Sequence, residues 1–322
     1  MATGKAEKVL SGIQAGLLLL SAGLLIFIAL ANLLQPDGLA AVTLWPVWVW
    51  PLPGLGLLAL AWDRRRARWI LGVAAAWVLV TPALAEETRS LLRLGQPPGH
   101  DIRVVSFNCA TNTEGLAEEL RGLKPDIVLL QEISLPDRQA RALARRIFGG
   151  RAGAACAGDC AVLARGKVTP QQSEWPYAHA LVALPGRPVL HAFSAHFLPP
   201  VVRVDLWSPE CWALHTHFRR SHRGQARQCA EEIARLPEGS RVIFAGDLNV
   251  RQHDASLAPL RGRLRDAFSQ AGRGWGNTVL NDFPALRFDQ VWVSRSLQPV
   301  SVTARKSRSS DHRMVVCDVV VR

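Results

Sequence analysis

The first 85 residues contain three long stretches without a charged residue. They cover residues 9–34, 39–62 and 69–85, which are 26, 24 and 17 residues long. A helix needs roughly 20 apolar residues to cross the hydrocarbon core of a bilayer, so the first two are long enough and the third is near the lower limit. The pattern predicts about three transmembrane helices rather than buried helices of a soluble core.

Prolines and tryptophans lie near the ends of these stretches. Pro46, Pro51 and Pro53 interrupt the start of the second stretch, which predicts a kinked or re-entrant segment because proline removes a backbone donor from a helix. Trp45 and Trp62 flank the same stretch, as expected for side chains that favour the membrane interface.

Basic residues predict the orientation of the helices. The loop at residues 63–68 contains four arginines and two lysines precede the first stretch, whereas residues 35–38 contain no cation. The positive-inside rule then places the N-terminus and the arginine loop in the cytoplasm, and everything after Ala85 on the far side. We expect a multi-pass protein of a bacterial inner membrane with an extracytoplasmic domain. Residues 83–85 also resemble a signal-peptidase site, which leaves cleavage after Ala85 open.

Beyond residue 85 the pattern changes to short apolar stretches separated by polar ones. Residues 86–100, with Gln96-Pro97-Pro98-Gly99, predict a linker to a soluble domain at residues 101–322. Amphipathic spacing predicts helices at residues 114–123, 137–148 and 222–236. Stretches rich in β-branched and aromatic residues predict strands at residues 102–107, 126–130, 161–164, 189–195, 242–245, 288–293 and 314–321. These elements predict an α/β domain whose sheet need not be all parallel.

Composition and charge narrow the class of protein. Hydrophobic residues make up 49% of the chain and charged residues 20%, which excludes wholesale disorder. Residues 96–322 carry 30 Lys and Arg against 21 Asp and Glu, so the domain suits a polyanion or an anionic membrane surface.

The six cysteines could form disulfide bonds if the domain lies in an oxidising compartment. In an oxidising space Cys156 and Cys160 could close a small loop, and Cys211 could pair with Cys229. Cys109 lies in an apolar strand-like stretch, as does Cys317, and we expect both to be buried thiols.

Polar residues occur at the ends of several predicted strands. A single Asp or Asn in such a place is usually a turn residue. Sites in sheet proteins form where several strand ends converge, so the whole set predicts a functional site. Its members are Asn108, Glu132, His196, Asp247, Asn249, Asp289, Asp311 and His312.

The order and spacing of these residues resemble the endonuclease/exonuclease/phosphatase superfamily, which includes DNase I, AP endonucleases, inositol-polyphosphate 5-phosphatases and neutral sphingomyelinases. The resemblance covers residues 101–322 and implies a four-layer α/β sandwich. It rests on Ser-Phe-Asn108, Gln-Glu132, Ala-His196, Gly-Asp247-Leu-Asn249, Phe-Asp289-Gln-Val and Ser-Asp311-His312.

Phosphate ester cleavage needs a cation, a base for water and help for the leaving oxygen. Glu132 and Asp311 are hard oxygen ligands suited to Mg²⁺, with Mn²⁺ as an alternative, and one or two metal ions remain open. The resemblance places Asn108 beside that metal, where it would bind the ion or orient the glutamate.

The remaining residues are expected to handle protons and phosphate. The resemblance implies that Asp289 holds His312, and a carboxylate partner favours the imidazolium form. It assigns Asp247 to water activation or leaving-group protonation and Asn249 to a phosphate oxygen. It gives His196 a hydrogen bond to phosphate or protonation of the leaving group. Which group is the base and which the acid stays open.

Two hypotheses concern residues 199–223, which contain two Trp, three His and several Arg. The stretch is either a substrate loop, with aromatic and arginine contacts to lipid, base or phosphate, or the entry to a helix with a solvated basic face.

The resulting functional hypothesis is a membrane-anchored, Mg²⁺-dependent phosphoesterase. It would cleave a phosphodiester or phosphomonoester in a lipid head group or nucleic acid outside the cytoplasm, without an obligate protein partner. The alternatives are a non-catalytic protein that binds a phosphorylated ligand and a membrane assembly protein in which the helices are the functional part.

Overall fold

The computed structural model describes residues 2–200, 202–251 and 253–322. The chain divides into two compact units. Met1–Thr88 and Arg203–Thr216 form the first, which we call the helical unit. Arg89–Val202 and His217–Arg322 form the second, which we call the sandwich unit.

The N-terminal residues form helices, as their pattern predicts. The helices are α1 (Ala2–Leu34), α2 (Ala40–Thr43), α3 (Pro51–Leu60), α4 (Ala67–Leu84) and α5 (Glu86–Leu92), the last of which begins the predicted linker. By length and composition Glu7–Leu34 and Arg64–Leu84 can each cross a membrane. A third span exists only if two shorter helical segments, Asp37–Thr43 and Val47–Leu60, together form one span. The angle between these two segments is 62°. Pro46 lies at this break, where its ring prevents a continuous helix.

A hydrogen-bonded junction holds three of these helices together. Ser21 Oγ donates to the Gly54 carbonyl oxygen at 2.8 Å, and Trp77 Nε1 donates to Ser21 Oγ at 3.2 Å. A Cβ atom on Gly54 would lie 2.3 Å from the indole ring of Trp77, so only glycine allows this approach. Small residues and interhelical hydrogen bonds are the usual means of joining helices in a bilayer.

The sandwich unit contains two six-stranded sheets among its described residues. The first has the order β11-β12-β1-β2-β4-β3 and the second the order β5-β6-β7-β8-β10-β9. The β1–β2 and β7–β8 pairs are parallel, and the other pairs are antiparallel. The strands are β1 (Ile102–Asn108), β2 (Ile127–Gln131), β3 (Gly153–Ala157), β4 (Cys160–Ala164), β5 (Lys167–Pro170), β6 (Tyr177–Ala183), β7 (Leu190–His196), β8 (Val242–Asp247), β9 (Leu264–Asp266), β10 (Asp289–Ser294), β11 (Leu297–Arg305) and β12 (Met314–Val321).

Three apolar clusters produce the predicted four layers. The first lies between the sheets and includes Val104, Leu129 and Val291. The second lies under helices α6 (Leu116–Gly122) and α7 (Asp137–Phe148), and the third packs α8 (Pro209–Arg235) on the other sheet. A short helix, α9 (Ala267–Ala271), packs against the first cluster. Alternating side chains on each strand supply both faces of its sheet, which is why each sheet is covered on two sides.

Helix α8 begins at Pro209, thirteen residues before the predicted start at residue 222. Proline suits the first position of a helix because its missing N–H has no partner there in any case. Residues 209–223 are therefore helical, as the second hypothesis expects, but Arg219 and His222 are buried and do not form a solvated basic face. The substrate-loop hypothesis stays a prediction.

All six cysteines are free thiols, and the geometry explains why neither suggested bridge forms. Cys156 belongs to the outer cluster and Cys160 to the cluster between the sheets, so they point to opposite faces of the β3–β4 hairpin. Cys211 and Cys229 are eighteen residues apart on α8, which is about 27 Å along a helix, whereas bridged Cα atoms lie about 6 Å apart.

A buried histidine pair should make the sandwich unit sensitive to acid. His179 stacks on Phe193, its Nε2 lies 3.0 Å from His191 Nδ1, and burial and this neighbour lower the pKa of His179 to about 4. Between pH 6.5 and 4 the unfolded chain binds a proton that the folded chain does not, so stability falls with falling pH by on the order of 2 kcal/mol. The melting temperature should fall less between pH 7 and pH 5 for His179→Gln than for the native protein. An identical drop in both proteins would contradict this assignment.

Candidate functional site

The parallel strand pairs bring the predicted residues to one edge of the sandwich unit. In the register, Asn108 at the end of β1 lies beside Gln131 of β2, and His196 at the end of β7 lies beside Asp247 of β8. Asp289 at the start of β10 is opposite Asp247. Carboxyl ends of parallel strands leave their last side chains at a common edge, so the register alone assembles much of the site.

Asp247 is almost fully buried, with an exposed fraction of 1%. Its Oδ2 accepts a hydrogen bond from Asn108 Nδ2 at 3.0 Å, and its Oδ1 accepts one from the Asn249 backbone N–H at 2.9 Å. Burial and the negative charge of Asp289 raise the pKa of Asp247 to about 6. The carboxylate can therefore bind or release a proton near neutral pH.

His312 and Asp289 form a buried ion pair, with Nδ1 2.8 Å from Oδ2. Burial alone would lower the pKa of His312, but the charge and hydrogen bond of Asp289, with the charges of Asp247 and Asp311, raise it to about 10. The ring is therefore an imidazolium at neutral pH, and its Nε2 lies 3.8 Å from Asp247 Oδ2. The predicted pairing of Asp289 with His312 is present in the structure.

His196 forms a second histidine–aspartate pair, which sequence reasoning missed. Its Nδ1 lies 2.6 Å from Oδ2 of Asp159, a residue of the β3–β4 turn. Burial lowers the pKa of His196, but the hydrogen bond to Asp159 and the charges of Asp247 and Glu132 raise it overall. Its buried Nε2 has no hydrogen-bond partner among the described residues, and so it is available to a ligand.

Glu132 follows β2 in a left-handed backbone conformation, with φ of 55°. This conformation costs roughly 1 kcal/mol or more for a residue with a Cβ, and such residues cluster at functional sites. Asn108 Nδ2 donates to Glu132 Oε1 at 2.9 Å, while His196 Nε2 lies 3.8 Å from the same oxygen. The contacts hold a half-exposed carboxylate at the mouth of the site.

Two groups of residues have ligand atoms close enough to hold a metal ion. Glu132, His196 and Asp247 offer atoms within 4.8 Å of one another, and so do Asp247, Asp289 and His312. The second group is occupied by its own ion pair. The first fits a cation better, because its Glu132 carboxylate is half-exposed and a cation can reach it. Carboxylate oxygens are ligands that Mg²⁺ and Mn²⁺ prefer.

Two predicted residues have a looser relation to this cluster. Asp311 is exposed and belongs to neither group, although it is near enough to contribute to the raised pKa of His312. Asn249 adopts φ of 52°, and its Nδ2 donates to the Phe197 carbonyl oxygen at 3.0 Å. Metal binding by Asp311 and phosphate binding by Asn249 stay predictions.

Ser310 also connects the site and was not predicted. Its hydroxyl donates to the Asn108 carbonyl oxygen at 2.8 Å and accepts from the His312 backbone N–H at 3.0 Å. The Ser-Asp311-His312 motif includes this serine, but the motif alone does not predict these two hydrogen bonds. It joins the loop before β12 to the end of β1.

Comparisons with known proteins agree with this architecture. A family profile described as "Endonuclease/Exonuclease/phosphatase family" matches residues 105–312. No curated protein has significant sequence similarity to this chain.

Several solved structures share the fold at low sequence identity. TDP2 from C. elegans is 19% identical, with a TM-score of 0.51, covering 83% of this chain and 92% of that one. D. rerio TDP2 complexed with a single-strand DNA product is 20% identical, with a TM-score of 0.50, covering 68% and 98%. An endonuclease/exonuclease/phosphatase from Beutenbergia cavernae is 19% identical, with a TM-score of 0.51, covering 69% and 72%.

Proposed function

The chain belongs to the endonuclease/exonuclease/phosphatase family, and from this premise we propose that it is a membrane-anchored, divalent-metal-dependent phosphoesterase. The observation that carries the proposal is the convergence of two histidine–aspartate pairs on Asp247, beside the Asn108–Glu132 contact. A non-catalytic binding protein would not need two polarised imidazoles and a carboxylate of raised pKa in one place.

We assign the metal, Mg²⁺ or Mn²⁺, to the Glu132 carboxylate, with Asn108 and Asp311 as further contacts. A bound divalent cation would neutralise charge on the phosphate. Asn108 holds the glutamate through its hydrogen bond and joins it to Asp247. This support keeps two carboxylates close together, which is costly without a cation between or beside them.

The chain's own groups can move the protons that hydrolysis requires. Asp247 accepts a proton from the attacking water while the oxygen of that water forms its bond to phosphorus. The ester bond to the leaving oxygen breaks, and His196, whose Nε2 has no hydrogen-bond partner in the described part of the chain, supplies that oxygen with a proton. The imidazolium of His312 donates a hydrogen bond to a phosphoryl oxygen, on which negative charge is greatest in the transition state. Asn249 would contact another phosphoryl oxygen.

The helical unit supports anchoring in a membrane. Leu19 and Leu34 on α1 and Leu79 on α4 are each 72% exposed, and a water-soluble unit would leave such a surface in contact with solvent. Arg66 donates to Ser11 Oγ at 2.7 Å and Gln14 donates to the Trp62 carbonyl oxygen at 2.9 Å. These contacts bring the arginine loop to the N-terminal end of α1, in agreement with the proposed topology.

The substrate class follows from charge and anchoring. An excess of arginine suits phosphate groups, either in a lipid head group or in nucleic acid. We propose that the ester is cleaved outside the cytoplasm, where an anchored enzyme meets both.

Activity should require the metal and the assigned residues. The full-length protein in detergent is tested with Mg²⁺ or Mn²⁺ on bis-p-nitrophenyl phosphate, plasmid DNA, sphingomyelin and phosphoinositides. We expect turnover of at least one substrate, its loss with EDTA, and its recovery when Mg²⁺ is added back. Binding of all four without turnover would instead favour a non-catalytic protein.

The side of the membrane can be tested separately. Alkaline phosphatase fused after Gln96 should be active in a bacterial host, because three crossings carry residue 96 out of the cytoplasm. A fusion after Asp63, in the arginine loop, is the matched control and should be inactive. Activity of the second fusion alone would reverse the proposed orientation.

A further inference from the structure

Residues Arg203–Thr216 belong to the helical unit, although the sequence places them between β7 and the rest of α8. Trp212 packs against the cluster that contains Ile28, Ala31 and Val42. Thr216 Oγ1 donates to the Asp37 carbonyl oxygen at 3.1 Å. We call Arg203–Thr216 the docking segment, because it is held by the helices of this unit.

These contacts lie at one end of α1. Near the N-terminal end of α1, Ser11 contacts Arg66 of the arginine loop and Gln14 contacts the preceding Trp62, whereas Ile28, Ala31 and Asp37 are at or beyond the C-terminal third. A hydrocarbon core takes up roughly 20 helical residues, so a core that begins after Lys8 ends near residue 29. The docking segment is therefore level with the boundary of the bilayer that the helices would cross.

The docking segment also exposes apolar side chains at this level. Trp207 is 86% exposed and Val204 is 58% exposed. The neighbouring charges of Arg203 and Asp205 form an ion pair with each other, which lowers the cost of bringing them near lipid. Trp50 packs in the same cluster as Trp212. Tryptophan is enriched at the level of the lipid head groups because its ring is apolar and its N–H is polar.

We propose that the docking segment is an interfacial membrane element, in which Trp207 and Val204 insert into the boundary between lipid head groups and acyl chains. The inference rests on the proposed anchoring of the helical unit. Lipid is the occupant, rather than a protein or a second copy, because the segment packs on helices that would themselves be surrounded by lipid and exposes apolar side chains there.

Spin labelling of the full-length protein in phosphatidylcholine–phosphatidylglycerol vesicles tests this position. Cys156 is half-buried and is replaced with alanine, while the other five cysteines are buried. Nitroxides are then attached at Trp207→Cys, at Leu19→Cys on α1 and at Arg138→Cys on the exposed face of α7. Collision with oxygen and with a nickel chelate measures the depth of each label. We expect a deep label at 19, a label between core and surface at 207, and a water-exposed label at 138.

The other possible label depths overturn either this inference or the proposed membrane anchor. A label at 207 that reads like the label at 138, with a deep label at 19, overturns the inference and leaves the anchor intact. A label at 19 in water overturns the anchor and the inference with it. Broadening of the 207 spectrum that disappears on dilution with unlabelled protein identifies a second copy as the occupant and also overturns the inference.

Discussion

Replacing His312 with alanine should lower kcat by about 10³-fold, at the upper end of the range for removing one hydrogen-bond donor to transition-state charge. The imidazolium is held by Asp289 at 2.8 Å and keeps its charge because its pKa is raised to about 10. Alanine removes the charge that balances phosphoryl oxygen in the transition state, and leaves Asp247 and Asp289 as two buried carboxylates without a cation between them. Steady-state kinetics on the substrate found by the screen measures the effect.

The substitution Asp289→Asn tests the charge of His312 independently of the position of its ring. The amide keeps a hydrogen-bonding group beside Nδ1 but removes the negative charge that raises the pKa of His312. We expect kcat to fall more than KM rises, and the alkaline limb of the rate profile to move to lower pH because the ring loses its proton earlier. An unchanged profile would contradict the assigned pairing, even if the rate fell.

The strands that carry the site could be predicted because each is a buried apolar stretch that ends in a polar residue. The predicted bounds of β12 and α7 agree with Met314–Val321 and Asp137–Phe148. Strands such as β3, with Gly-Ala-Ala-Cys-Ala, and β9, with three residues, lack the β-branched or alternating pattern that marks a strand. They form because a neighbouring strand offers hydrogen bonds, which a local pattern does not record.

Asp159 could not be predicted for a similar reason. It follows Gly158 in the turn of a hairpin, where an aspartate is normally a turn residue. It becomes part of the site through a partner 37 residues further along the chain. The position of Arg203–Thr216 in the helical unit likewise depends on contacts with α1 that no local pattern contains.

Replacing Glu132 with glutamine should weaken the binding of Mg²⁺ or Mn²⁺ by about 100-fold or more, because changes even to residues that support metal ligands cost about 10–100-fold. Glutamine has the same shape and can keep the contact with Asn108 Nδ2 through its side-chain oxygen. The negative charge that would hold the cation is lost. Titration calorimetry with Mn²⁺ measures the affinity, and activity in excess Mg²⁺ should stay near background.

A stability measurement distinguishes this loss from damage to the fold. A ligand that binds only the folded state raises the melting temperature, so Mn²⁺ should stabilise the native protein and leave Glu132→Gln almost unchanged. Without metal, the variant should be at least as stable as the native protein, because one of the closely spaced acids is gone. Glu231→Gln, on the exposed face of α8, is the matched control and should respond to Mn²⁺ like the native protein. Equal stabilisation of all three proteins would place the cation away from Glu132.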